Sequence, residues 1–234
     1  MRPARRSDQP VVATVLWPSR RQLRARLPRL VVGLTIISFG IALMARSGMG
    51  LSPYEVLHQG ISRHSPLSLG QASIATGVLV LLLWFPLRQL PGIGTVINIV
   101  GVGIGMDAFL AVVDTPEGLL LRSLYTVTGV LVIGVGIGLY IGAGLGPGPR
   151  DGLMTGLAAR GMRLWAVRLV LELSALVGGW LLDGTVGAGT VLFAVAVPFL
   201  AHVSLRWLSV ADEPAAAGVP SGDGVPARSA ARAE

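Results

Sequence analysis

The sequence predicts an all-α transmembrane protein of about six membrane helices, built as two inverted three-helix repeats with short re-entrant or interfacial helices. Three observations predict this class: few charged residues, six long apolar segments and an internal duplication. Only 13% of the 234 residues are charged, whereas a soluble domain carries about 25%. The mean hydropathy is +0.69. A folded chain with so little polar surface needs lipid as its solvent.

Six apolar segments approach the length of about 20 residues that a membrane-spanning helix needs. They cover residues 30–45, 72–87, 94–113, 119–141, 166–182 and 188–208. Some are short, so five spans is the alternative if one of them fails to cross. The first segment is too long for the core of a signal peptide, and further spans follow it. It is therefore interpreted as a membrane helix.

The two ends of the chain differ in composition from the apolar middle. Residues 1–28 are rich in arginine and proline, and residues 210–234 in alanine, proline, glycine and serine. Neither segment can bury enough apolar surface to order itself, so both are predicted to be disordered. Eight arginines precede residue 30, which predicts a cytoplasmic N-terminus, and an even number of spans then predicts that the C-terminus is cytoplasmic as well. The lipid bilayer is thus the expected partner. The basic N-terminus could indicate nucleic-acid binding, but the sequence contains none of the folds that present such a patch, so no nucleic-acid partner is predicted.

An internal repeat divides the membrane region into residues 29–113 and 114–209. Residues 40–60 match residues 136–156 at eight positions, where about two are expected from this composition. The identical pairs are Gly40/Gly136, Ile41/Ile137, Leu43/Leu139, Gly48/Gly144, Gly50/Gly146, Pro53/Pro149, Leu57/Leu153 and Gly60/Gly156. Trp84 pairs with Trp180 in the same register. Three spans per unit would give the two units opposite orientations, as in many secondary transporters; the alternative is that duplication only built a stable bundle.

Each repeat contains a glycine-rich loop that leads into a helix start. Gly48, Gly50 and Pro53 form the first loop, and Gly144, Gly146 and Pro149 are their structural equivalents in the second. Proline suits the first position of a helix, and Glu55 and Asp151 then occupy the capping position. These features predict short helices that reach about residues 64 and 161. If the helices enter the bilayer, their N-termini favour an anion; otherwise the two carboxylates only cap their own helices.

Ionisable residues within the apolar region are candidates for a functional site because they are costly there. Arg168 and Glu172 lie four residues apart on the fifth span, where they form either a structural ion pair or part of a site. Asp107 corresponds to His202 in the repeat, which suggests either a proton relay or two unrelated residues. Arg150 is either an anion contact or a positively charged anchor at the cytoplasmic face.

A resemblance to a known group rests mainly on the second repeat. The block Gly144-Leu-Gly-Pro-Gly-Pro-Arg-Asp-Gly-Leu153, followed by Arg168, Glu172, Gly178-Gly179 and Gly187-Ala-Gly-Thr190, resembles the YczE/YitT-type bacterial membrane proteins. The resemblance extends over residues 30–208. It implies a multispanning inner-membrane protein and little about its chemistry.

The leading hypothesis is a permease-like transporter of a small polar or anionic solute. Its predicted substrate-binding residues are Glu55, Arg150, Asp151, Arg168, Glu172 and Asp107. The alternative is a non-transporting scaffold or an accessory subunit of another membrane complex. Cysteine is absent and the three histidines lack the spacing of a metal site, so the sequence predicts no catalytic residues, metal or cofactor. It does not indicate the oligomeric state.

Overall fold

The structure of the protein, a computed structural model, describes residues 18–208, which form helices and connecting loops without strands. The helices are α1 (Arg20–Ser47), α2 (Pro53–Arg63), α3 (Leu69–Leu82), α4 (Trp84–Leu87), α5 (Ile93–Val112), α6 (Gly118–Gly142), α7 (Pro149–Ala158), α8 (Leu164–Leu181) and α9 (Ala188–Leu208). Within this range, six segments are long and apolar enough to cross a membrane: α1, α3 with α4, α5, α6, α8 and α9. The prediction of an all-helical protein with six candidate membrane spans is confirmed for this range.

The first helix begins earlier than the composition predicts. α1 starts at Arg20, where the Ser19 hydroxyl accepts from the Gln22 amide at 3.2 Å and the Gln22 side chain accepts from the Ser19 amide at 2.9 Å. This capping box satisfies two amides at the helix start, so the prediction of disorder is wrong for residues 20–28. Residues 1–17 and 209–234, the rest of the two predicted disordered ends, lie outside the described range.

The long helices α1 and α6 pack against each other at the centre of the fold. A Cβ atom on Gly33 would lie 2.9 Å from the carbonyl oxygen of Gly136, and one on Gly40 would lie 2.8 Å from that of Gly129. The later residue of α1 thus meets the earlier residue of α6, so the two helices are antiparallel. Glycine allows this close approach because it lacks a side chain.

A further span flanks each helix of the central pair. Gly105 of α5 faces Ser38 of α1, whose hydroxyl donates to the carbonyl of Val102 at 3.2 Å. On the other side, Gly138 of α6 faces Ser204 of α9. α5 therefore packs on α1, and α9 occupies the equivalent place on α6.

The two glycine-rich loops have nearly the same backbone conformation. Gly48 and Gly144 have φ values of 62° and 63°, and Gly50 and Gly146 have φ values of 115° and 132°. Side chains other than glycine rarely adopt this region. The four glycines that the repeat marks as structural thus turn the chain in the same way in both units.

Each of these loops is bonded to the other unit. The Gly94 amide at the start of α5 donates to the Leu145 carbonyl at 2.9 Å, and the Gly189 amide at the start of α9 donates to the Met49 carbonyl at 2.8 Å. Each loop is thus held by the third span of the other unit. The two repeats interlock.

Candidate functional site

The short helices α2 and α7 cross from one unit to the other. α2 packs on α8, where a Cβ atom on Gly179 would lie 2.5 Å from the carbonyl carbon of Val56. α7 packs on α3 and α4, where the buried indole of Trp84 covers Gly152 and its Nε1 donates to the Pro149 carbonyl at 2.9 Å. Each short helix is therefore positioned by the second span of the opposite repeat.

The starts of α2 and α7 meet in the structure. The guanidinium carbon of Arg150 lies 4.5 Å from the centroid of the Tyr54 ring, a cation–π contact. Tyr54 and Arg150 each follow the proline that begins their helix, and they are equivalent residues in the repeat. Because Tyr54 and Arg150 lie at the helix starts, their contact brings the N-termini of α2 and α7 close together.

The α2 side of this meeting point is closed. Glu55 is 4% exposed and His58 is 6% exposed, and the Glu55 Oε1 lies 4.0 Å from the His58 Nδ1. Burial raises the pKa of Glu55 above its ordinary value, and the Arg150 charge opposes part of this rise. Burial, with the same positive charge, lowers the pKa of His58 to about 3. His58 is therefore neutral near pH 7.

The α7 side is more open. Asp151, the repeat equivalent of Glu55, is exposed. The surrounding protein raises the pKa of Asp151, while the charges of Arg150 and Arg168 lower it. Asp151 is in contact with solvent, whereas Glu55 is 4% exposed. The two equivalent carboxyl groups thus have different environments.

Three buried polar atoms in this region lack a hydrogen-bond partner within the described chain: the Ser52 Oγ, the His58 Nδ1 and the Tyr140 hydroxyl. Ser52 directly precedes α2. The Tyr140 hydroxyl is 3.0 Å from the place of a Cβ atom on Gly148, the residue that precedes α7. Buried polar groups are rarely left unpaired, so these three atoms are available to bind water or a solute.

The structure brings together five of the six residues predicted to bind substrate. Glu55, Arg150 and Asp151 lie at the two helix starts. On α8, the Arg168 Nε donates to the Glu172 Oε1 at 2.9 Å, and both charges act electrostatically on Asp151. This geometry does not test whether the five residues bind a substrate, so their binding role stays a prediction.

Asp107, the sixth predicted residue, lies elsewhere. Its carboxylate accepts from the Gly70 amide at 2.8 Å and from the Ser68 hydroxyl, so it caps the start of α3. His202 is exposed on α9. The structure therefore assigns Asp107 a local structural contact rather than a place beside Arg150.

Sequence reasoning missed four residues of this region. They are Ser52 as an unpaired group, Tyr54, His58 as the neighbour of Glu55, and Tyr140. The repeat register could have identified Tyr54, because its equivalent is Arg150. His58 follows Glu55 by three residues and so shares its helix face. No sequence signal marks Tyr140, because its role depends on the packing of α6 beside α7.

Comparison with known proteins identifies the family. A family of unknown function, DUF6198, matches residues 24–206. The chain belongs to this family. An uncharacterized protein of Haemophilus influenzae is 36% identical over 186 residues, covering 79% of this chain and 84% of the relative. The uncharacterized membrane protein YczE of Bacillus subtilis is 33% identical over 193 residues, covering 80% and 88%.

A second Bacillus subtilis relative, the uncharacterized protein YyaS, is 30% identical over 178 residues, covering 74% of this chain and 88% of the relative. No solved structure matches the chain significantly. These relatives confirm the predicted resemblance to YczE-type membrane proteins. The similarity to the membrane protein YczE and the six apolar helices among residues 18–208 together identify a membrane protein.

Proposed function

We propose that this protein is a permease-like transporter of a small polar or anionic solute and that it has no enzymatic activity. The observation that carries the proposal is the meeting of two helix N-termini around Arg150, beside three buried polar atoms without partners. Helix N-termini direct amides and a positive partial charge toward such a place. A guanidinium adds a full charge and can bind an oxyanion through two hydrogen bonds.

Capping of the two helices by their own residues is the simpler explanation of Glu55 and Asp151. It accounts for their position in the first turn of each helix but not for Arg150 or for the unpaired Ser52 and Tyr140 atoms. Among the described residues, Arg150 has no ion pair within 4 Å. The free hydrogen-bonding capacity favours a bound solute.

An inverted repeat is supported by the antiparallel packing of α1 and α6, the equivalent first helices of the two units. Sites of secondary transporters lie between such units near the middle of the membrane. We infer that the starts of α2 and α7 form a site of this kind.

The depth of the short helices supports a re-entrant path. The Thr126 hydroxyl, near the start of α6, donates to the Ser47 hydroxyl at 2.9 Å, so α1 ends beside the start of α6. Tyr140, near the other end of α6, lies beside Gly148. At 1.5 Å per residue, about 21 Å of helix separates Thr126 from Tyr140. The segment between α1 and α2 therefore has to run inward so that the start of α2 can contact the start of α7.

The arginine distribution favours an orientation with both termini in the cytoplasm, and the bacterial relatives favour the inner membrane as the location. Three arginines would then lie on the outer side, and each has a structural contact. Arg46, Arg63 and Arg122 donate to the backbone carbonyls of Leu110, Asp183 and Ser47, respectively. These carbonyls lie near or just beyond the C-terminal ends of helices, where a positive charge is favourable. The outer arginines thus stabilise helix ends.

The inverted topology predicts opposite labelling of two loops. Because the chain has no cysteine, single variants Pro66→Cys, after α2, and Met162→Cys, after α7, can be labelled with a membrane-impermeant maleimide. In intact bacterial cells, Pro66→Cys is expected to react and Met162→Cys to react only after the membrane is permeabilised. If both cysteines react from the same side, the inverted arrangement and the proposed site are wrong.

Anion binding at Arg150 predicts thermal protection of the purified protein. The probes are chloride, sulfate, inorganic phosphate and acetate at equal ionic strength. At about 100 times its Kd, a ligand adds about 2.7 kcal/mol of stability, which raises the unfolding temperature by several degrees. At least one anion is expected to protect the wild type but not Arg150→Gln.

The matched control is Arg206→Gln, which removes an exposed arginine of α9 and should keep the protection. General salt effects act on all three proteins alike, so only a difference at Arg150→Gln supports the site. Absence of protection by every probe, with the predicted topology intact, would favour the membrane-scaffold alternative.

A further inference from the structure

We propose that Glu55, with His58 beside it, binds a proton when an anion occupies the Arg150 site, so that solute and proton are carried together. The inference rests on the proposed function and names the coupling ion. In this proposal Glu55 does not contact the solute. Arg150 binds the anion, and the proton on Glu55 compensates the negative charge of the anion.

The geometry around Glu55 suits a proton site. Its carboxyl group is buried, and the nearest basic group on its own helix is the His58 Nδ1 at 4.0 Å, which has no hydrogen-bond partner. α3, which packs on α2, has no titratable side chain. The charged groups on the other neighbouring helices are Arg150 and Asp151 on α7 and Arg168 and Glu172 on α8.

Two opposing effects control the charge of Glu55. Burial disfavours the carboxylate, and the positive charge of Arg150 favours it. An anion bound at Arg150 neutralises this positive charge, so only the effect of burial on Glu55 remains. Glu55 then takes up one proton, and its new hydroxyl can donate to the Nδ1 of neutral His58. With a monovalent anion, one negative and one positive charge bind together, so the net charge is unchanged.

The repeat provides an internal contrast. Asp151 occupies the equivalent position in the second unit, but it is exposed and lies near Arg168. The surrounding protein raises the pKa of Asp151, and the positive charges of Arg150 and Arg168 oppose that rise. The same position of the duplicated fold thus holds a buried carboxyl group in one unit and an exposed one in the other, and the proposal places the proton on the buried group. By linkage, a proton on Glu55 strengthens anion binding as much as the anion strengthens proton binding.

Infrared spectroscopy of the protein in lipid tests the proton site directly. A protonated carboxylic acid gives a carbonyl band that disappears as the pH rises, and the wild type is expected to show such a band with a midpoint above that of an exposed glutamate. Glu55→Gln should lose the band, while the control Glu117→Gln, which changes an exposed residue before α6, should retain it. A band that persists in Glu55→Gln would overturn the proposal.

The link to Arg150 can be measured without any ligand. Arg150→Gln imitates the neutralised site and should raise the midpoint of the Glu55 band by about one to three pH units, the effect of removing a nearby opposite charge. Arg150→Lys keeps the charge and should shift the midpoint less, and circular dichroism verifies that both variants are folded. An unchanged midpoint in folded Arg150→Gln would overturn the coupling.

Sulfate, which has no carbonyl band, is the anion probe in the same experiment. A rise in the wild-type midpoint on addition of sulfate supports coupled binding. If sulfate protects the protein thermally but leaves the midpoint unchanged, the coupling is wrong while the anion site stands. If no anion protects the protein, the proposed function fails, and the Arg150→Gln comparison still shows whether Glu55 responds to that charge.

Discussion

The variant Gly179→Ala is expected to destabilise the protein by about 3 kcal/mol or more, because overpacking against rigid neighbours is costly. A Cβ atom on Gly179 would lie 2.5 Å from the carbonyl carbon of Val56 and would also approach the backbone of Leu57. Both neighbours are backbone, so no side-chain rotation can relieve the contact. α2 would have to move away from α8, and the Tyr54 contact with Arg150 would be disturbed with it.

The adjacent residue supplies a matched control. A Cβ atom on Gly178 would meet only a Leu57 side-chain carbon at 3.7 Å, an ordinary contact. Gly178→Ala should therefore be neutral or stabilising by up to about 1 kcal/mol, because alanine favours a helix more than glycine does. Heating purified protein and measuring the fraction that remains monodisperse compares the two variants. Equal losses in both would mean that α2 does not pack on α8 as described.

Replacing Trp84 by alanine is the second substitution with a large expected effect. Trp84 is 1% exposed, and its indole donates to the Pro149 carbonyl at the start of α7. Loss of a buried tryptophan costs about 3–5 kcal/mol. Because this side chain covers Gly152 of α7, the variant should also lose anion protection in the thermal assay.

Trp180 is the repeat equivalent of Trp84 and the appropriate control. It is 63% exposed, on a surface that faces lipid if the proposed topology is correct. Trp180→Ala should change stability by less than about 1 kcal/mol, as surface substitutions usually do. Trp84→Phe separates ring packing from the hydrogen bond and should lie between the two alanine variants. Similar costs for both alanine variants would contradict the asymmetric packing.

The membrane class and the repeat could be predicted because each depends on many residues at once. Hydropathy sums over about 20 positions per span, so single errors hardly matter, and six apolar helices are present among the described residues. The loop glycines repeat at fixed spacing, and their φ values agree in pairs. The start of α1 was missed because the arginine-rich composition obscured a local capping box at Ser19 and Gln22.

The candidate site was only partly predictable. Helix starts, Arg150 and the carboxylates in the first turns of α2 and α7 follow from local signals at Pro53 and Pro149. Asp107 fits the general rule that buried charges in membranes are functional candidates, yet it serves the start of α3. Pairing between distant residues cannot be read from one chain, because it depends on how the helices cross.

The sequence by itself determined a multispanning helical protein with a duplicated architecture, because hydropathy and repeat spacing are properties of the chain alone. Only the tertiary structure decided which member of each equivalent pair is buried: Trp84 rather than Trp180, and Glu55 rather than Asp151. The physical reason is that equivalent residues have the same local conformation but different neighbours. Burial and charge depend on those neighbours, which only the packed helices supply.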